Sequence, residues 1–270
     1  MKILLERKDV NPNTADKDDQ TPLLIAAREG HEGIAKALLE RKDVNPNTVN
    51  QHGLASLSPA AEEGYEGVAK MLLDQGGIGP NTADNCVQAP LFIAAREGHE
   101  GAVKMELERG DADPNTADKY GQTLLFIAAK KGHEGVVKML LERKDVNPNT
   151  ADKYCQTPLF IAALKGHEGA VKILLERKDV NPNTADKGDQ TPLLIAAREG
   201  HEEVVKILLE RRDVGPNTAD KYGQTPLFMA AWEGHEGIAK ALLERRDVNP
   251  NVNEHGRAPL LVAAREARES

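Results

Sequence analysis

The feature that most constrains this chain is a repeat. Thr21-Pro22-Leu23 returns as Thr157-Pro158-Leu159, Thr191-Pro192-Leu193 and Thr225-Pro226-Leu227. Weaker copies stand at Ala55-Ser56-Leu57, Ala89-Pro90-Leu91, Thr123-Leu124-Leu125 and Ala258-Pro259-Leu260. Successive copies are 34 residues apart, except the last, which is 33. A unit this short cannot bury its own apolar face, so stability must come from stacking on its neighbours. A linear array is therefore expected, in place of the one or two globular domains that 270 residues would otherwise suggest.

Each unit has a physical reading. Thr21 offers an N-cap oxygen, and Pro22 fits the first helical position, where its missing N–H costs nothing. Leu23, Ala26 and Ala27 then fall on one face, and the two alanines allow a neighbouring helix to approach closely. Gly30 ends this helix. His31-Glu32 opens a second one, whose buried stripe is Ile34, Leu38 and Leu39. Asp43-Val44-Asn45-Pro46-Asn47 breaks the chain out of it, and an Asp-Lys-x-x-Gln turn leads into the next Thr-Pro. The unit is turn, helix, tight turn, helix, loop. Thin helices also account for the composition: 40% of residues are hydrophobic but only 3% aromatic, so Leu, Ile, Val and Ala fill the core.

Thr-Pro-Leu, Ala-Ala, Gly-His and two hydrophobic helices in about 33 residues resemble the ankyrin repeat over essentially the whole chain. The resemblance implies an all-α solenoid of stacked helix-turn-helix units with protruding turns. The expected organisation is a single array over 1–270, with repeats starting near 16, 50, 84, 118, 152, 186, 220 and 253. Seven of these are complete, with partial repeats at 1–15 and 253–270. Two departures stand out. The family often carries His after Thr-Pro-Leu, where this chain has Leu24, Phe92, Phe126, Phe160, Leu194 or Phe228, and the Asp-Val-Asn-Pro-Asn loop is one residue longer. The near-identity of the units is similar to the long arrays of fungal-type NACHT-ankyrin proteins. Leu4, Leu5, Leu260 and Leu261 leave the ends apolar where solenoids carry polar caps. A fragment of a longer array is expected, with a complete protein that tolerates frayed ends as the alternative.

Repeats two and three are expected to be weak. Ala55 and Ala89 forfeit the N-cap, at about 1 kcal/mol each. Pro59, past the first turn, removes a helical hydrogen bond at roughly 3 kcal/mol unless the helix re-registers. Glu106 replaces the Leu of Leu140 and Leu174, placing a carboxylate on a core stripe unless it reaches solvent.

Catalytic and metal chemistry find little footing. The histidines His31, His99, His133, His167, His201 and His235 recur one repeat apart, about 10 Å, whereas zinc ligands each lie about 2 Å from the metal. They are expected to be turn residues. None of Ser56, Ser58 and Ser270 lies in Gly-x-Ser-x-Gly. Gly76-Gly77-Ile78-Gly79 lacks the Gly-Lys-Ser/Thr of a phosphate loop. Cys86 and Cys155, at tips two repeats apart, can neither pair with each other nor form a disulfide framework. No enzyme activity, cofactor or metal is expected. Forty-three acidic against 35 basic residues, a net charge of -8, disfavour nucleic acid and anionic membranes as partners. With no apolar run of roughly 20 residues and no signal peptide in Met1 to Arg7, a cytoplasmic or nuclear location is expected.

The resemblance implies that a protein partner docks on a concave face made by the turn tips and the exposed ends of the first helices. In repeat four these positions are Lys119, Tyr120, Gln122, Lys130 and Lys131. In repeat five they are Lys153, Tyr154, Gln156, Leu164 and Lys165, and in repeat seven Lys221, Tyr222, Gln224, Trp232 and Glu233. Repeats four and five thus offer five lysines and no acid. Three of the four tyrosines and the single tryptophan also fall here, and these residue types often anchor interfaces. The candidate binding residues are Lys119, Tyr120, Lys130, Lys131, Lys153, Tyr154, Leu164, Lys165, Tyr222 and Trp232. The partner expected is a protein with an acidic, partly apolar surface. The competing expectation is a structural or elastic spacer with no dedicated partner, in which Lys-Tyr-Gly-Gln is merely the template of the copies. A monomer is expected, with end-to-end association through the uncapped ends as the alternative.

Overall fold

The computed structural model describes residues 2–5, 7, 9–75, 89–110, 113–251 and 258–259. The tip of the third repeat (Asn85, Cys86, Gln88), the Gly76–Gly79 segment and Leu260 and Leu261 lie outside the described residues. Two compact units are present, 1–119 and 120–270. The first holds α1 (Lys2–Leu5), α2 (Pro22–Arg28), α3 (Glu32–Leu39), α4 (Leu57–Glu63), α5 (Glu66–Asp74), α6 (Pro90–Glu97) and α7 (Glu100–Glu108). The second holds α8 (Leu124–Lys131), α9 (Glu134–Glu142), α10 (Pro158–Lys165), α11 (Glu168–Glu176), α12 (Pro192–Glu199), α13 (Glu202–Glu210), α14 (Pro226–Trp232) and α15 (Glu236–Leu243). Among the described residues, α2 onward forms seven helix pairs, one for each copy from Thr21 to Thr225. In the first unit α2, α4 and α6 pack in succession, as do α3, α5 and α7. In the second, α8, α10, α12 and α14 form one layer and α9, α11, α13 and α15 the other.

The caps explain why helices this short form. The hydroxyl oxygens of Thr21, Thr123, Thr157, Thr191 and Thr225 accept the N–H of the residue three places on, at 3.2–3.3 Å. Each satisfies one of the N–H groups a helix start leaves unpaired. At the other end a left-handed glycine turns the chain, as at Gly166 (φ 71°), and the following His N–H returns to the helix, His167 to the Ala162 carbonyl at 3.0 Å. Between caps, the apolar face is fully used. Leu23, Ala27, Leu57 and Leu72 are buried in the first unit, and Phe126, Phe160, Leu194 and Phe228 in the second.

The weak repeats differ from expectation in detail. α6 begins at Ala89 with no side-chain cap, as its sequence implies. α4 avoids the Pro59 penalty by starting late. It runs from Leu57, so Pro59 is its third residue, where a helix has no use for an N–H. Ser58 N–H instead bonds the Ala55 carbonyl at 3.0 Å. What is lost is the bond that Ile25 and Ile93 make to Thr21 and Ala89 in the other copies. Glu106 does not reach solvent: it is fully buried on α7, on the same stripe as Val103 and Leu107.

Candidate functional site

Two rows of side chains in the second unit carry the candidate residues. The first row is the turn tips. The carboxylate Oδ1 of Asp152 accepts the N–H groups of Tyr154 and Gln156, at 2.8 and 3.0 Å. Asp186 does the same for Gly188 and Gln190, and Asp220 for Tyr222 and Gln224. With the backbone closed on itself in this way, the intervening side chains project outward. Adjacent tips are bonded in series. Lys153 N–H donates to the Tyr120 carbonyl at 2.9 Å, Lys187 to Tyr154 and Lys221 to Gly188, each at 3.1 Å. The row therefore runs Tyr120, Tyr154, Gly188, Tyr222, one position per repeat.

The second row is the C-terminal ends of α8, α10, α12 and α14. Here the recurring histidines act, and not as caps, since none makes a side-chain cap bond. The ring Nε2 of His167 donates to the Lys130 carbonyl (3.0 Å), His201 to Leu164 and His235 to Arg198 (both 3.1 Å). In the first unit His99 reaches the Glu62 carbonyl at 2.7 Å. Each ring lies over the helix-ending glycine of the preceding repeat, so a Cβ at Gly132 would strike His167. The histidine fastens one repeat to the one before and holds the main chain beneath Lys130, Leu164 and Arg198 in place.

The loops after the second helices hold the stack in two further ways. Arg177 forks onto Asp179 and sends Nη1 to the Leu141 carbonyl at 3.1 Å. Arg41–Asp43, Arg143–Asp145, Arg211–Asp213 and Arg245–Asp247 repeat the fork. Each Arg holds its Asp below the ordinary carboxylate pKa by direct hydrogen bonding, opposed by partial desolvation. The second Asn of Asn-Pro-Asn bridges to the next loop at Asn13, Asn149 and Asn183. Asn149 Nδ2 donates to the Asp179 carbonyl at 2.7 Å, and its Oδ1 accepts Asn181 N–H at 3.0 Å. The sequence marks His only as a turn residue and Asn only as part of a helix-breaking loop, and assigns Arg no role; the bonds all three make between repeats were not anticipated. Their recurrence at fixed spacing, Arg-x-Asp above all, was the available signal.

Nine of the ten candidate residues belong to the second unit, while Lys119 lies in the first. Tyr120, Lys131, Lys153, Tyr154, Lys165, Tyr222 and Trp232 are exposed, and Lys130 and Leu164 are half-buried. Trp232 rests on Phe228, ring centroids 5.9 Å apart, yet remains 45% exposed. Lys221 Nζ sits 5.0 Å from the Tyr222 ring centroid, within cation–π range. In the helix-end row Arg198 is neutralised by Glu199 at 3.0 Å, whereas the ends of α8 and α10 carry Lys130, Lys131 and Lys165 and no acid of their own. The arrangement offers aromatic rings and ammonium donors on a hydrogen-bonded scaffold. Among the described residues, no three His, Cys, Asp or Glu side chains are grouped to hold a metal, and no helix is long and apolar enough to cross a membrane.

Comparison with known proteins agrees with this geometry. A family profile described as ankyrin repeats (three copies) matches residues 1–84, 77–152, 145–220 and 212–270. Among solved structures, the human ASB11 ankyrin repeat domain is similar, with a TM-score of 0.73 at 28% identity, covering 85% of this chain and 99% of that one. No curated protein sequence matches the chain.

Proposed function

Since the chain belongs to the ankyrin repeat family, whose repeats generally serve as protein-protein interaction modules, we propose that it is a non-catalytic scaffold docking a partner on the tip and helix-end rows of its second unit. The observation that carries this reading is where the aromatic surface lies. The four phenylalanines are buried, while Tyr120, Tyr154, Tyr222 and Trp232 make up four of the nine exposed large hydrophobic side chains among the described residues. Exposed Tyr and Trp tend to be the costliest interface residues to truncate. Lys130, Lys131, Lys153 and Lys165 add positive charge to a chain of net charge -8, which favours a partner surface that is acidic and partly apolar. The cross-repeat bonds made by His, Arg and Asn keep this surface rigid, limiting the ordering entropy lost on binding.

Affinity purification with the whole chain, in parallel with Tyr154→Ala/Trp232→Ala and Lys130→Glu/Lys131→Glu variants, tests the proposal. Partners retained by the wild type and lost by both variants are expected. An unchanged partner set in both would leave the spacer role as the better account.

A further inference from the structure

The tip row has one gap. Tyr120, Tyr154 and Tyr222 occupy the same position in three repeats, and Gly188 takes it in the repeat between the last two. The backbone does not require this glycine. Its φ lies outside the left-handed region, unlike that of Gly121 or Gly223 one place further along the neighbouring tips. Gly188 N–H bonds Asp186 Oδ1 at 2.8 Å, as Tyr154 and Tyr222 bond Asp152 and Asp220 at 2.8 and 2.9 Å. A Cβ built there meets only the Asp186 carboxylate and the Gln190 side chain. The turn that carries tyrosine on both sides would carry it here too, and a glycine without a conformational task only adds unfolded-state entropy.

The gap also has shape and charge. Its side walls are Tyr154 and Tyr222, both 59% exposed. Consecutive repeats stack at about 10 Å, so the walls stand roughly 20 Å apart between centres. That leaves room for a helix of about 10–12 Å diameter to lie across the row on Gly188. Lys153, Lys187 and Lys221 line the opening, all exposed; of the acids in these turns only Asp189 is exposed, while Asp152, Asp186 and Asp220 are buried or half-buried with Oδ1 taken up by backbone N–H groups.

Resting on the reading of this face as a docking surface, we infer that the Gly188 notch seats an acidic amphipathic helix of a partner protein. Its apolar stripe packs against the Tyr154 and Tyr222 rings, and its carboxylates face Lys153, Lys187 and Lys221. Rings on both sides of an open floor favour one bulky element crossing the row over a chain running along it.

The test is a display library of helical and unstructured peptides selected against the whole protein, with the enriched sequences synthesised and their Kd measured by fluorescence anisotropy. Enrichment of helices rich in Glu and Asp with an apolar stripe is expected. Gly188→Tyr restores the side chain of the neighbouring repeats, should not lower the melting temperature and should weaken binding at least tenfold. Lys187→Glu, at an exposed position, should weaken it independently. Three results overturn the inference: enriched ligands that are extended or basic, ligands indifferent to Gly188→Tyr and Lys187→Glu, or no enrichment at all. Ligands indifferent to Gly188→Tyr but lost in Tyr154→Ala/Trp232→Ala would leave the docking face standing and remove only the notch.

Discussion

Cys155 occupies a backbone position built for glycine. Its φ of 62° is left-handed, and the equivalent tip positions are Gly53 (φ 75°), Gly121 (φ 79°) and Gly223 (φ 70°), with Asp19 and Asp189 the other two non-glycine residues there among the described residues. A side chain in that region crowds its own carbonyl. Cys155→Gly is therefore expected to stabilise the protein by about 0.5–1 kcal/mol after allowing for the freedom glycine gains when unfolded; denaturant unfolding of the two proteins measures the difference. The same substitution removes an exposed thiol. The repeat aligns Cys155 with the glycine of Lys-Tyr-Gly-Gln at Gly121 and Gly223, but that the position is left-handed shows only in the dihedral angle.

At the scale of the helix, capping and stacking separate. The caps are local and were legible: Thr-Pro followed by an apolar stripe and a glycine specifies α2, α10, α12 and α14, and Ala55 and Ala89 mark the first helices that lack a threonine cap. Ala89→Thr should recover the bond that Thr123 makes to Phe126, raising stability by about 1 kcal/mol, observable as a higher melting temperature. What joins helices of adjacent repeats was not legible. His201 bonds a carbonyl 37 residues away and Asn149 one 30 residues away, and sequence alone says only that a turn residue recurs. The start of α4 was also hidden, because shifting a helix by one residue around Pro59 depends on the neighbouring helices holding Leu57 and Ala60 in the core. The candidate rows followed from position within the repeat, whereas the gap at Gly188 gained meaning only from its dihedral angle and its bonded neighbours. The Arg-Asp forks carry a pH signature of their own. Because the Asp179 pKa lies below its ordinary value of 3.8 when folded, the stabilisation from its ion pair is present above that pH and fades as pH falls through the lower folded value. Asp179→Asn should thus melt below the wild type at about pH 7 and converge with it as the pH falls through the lowered folded value of Asp179; melting curves across pH decide the matter.

Across the whole molecule, stability is expected to be uneven. The segment from α4 to α7 lacks two side-chain caps and one backbone bond and buries Glu106, whereas α8, α10, α12 and α14 are all capped by threonine. Hydrogen exchange should show α4–α7 opening faster than α10–α13, and Glu106→Leu, which restores the residue of Leu140 and Leu174, should slow it. Uniform protection across both segments would contradict this. Among the described residues, the hydrogen bonds that His, Arg and Asn make between repeats span 30 to 37 positions of the chain. Such short separations bear on synthesis as much as on endurance. A repeat leaving the ribosome finds its bonding partners in the one that left just before it, so assembly can keep pace with translation.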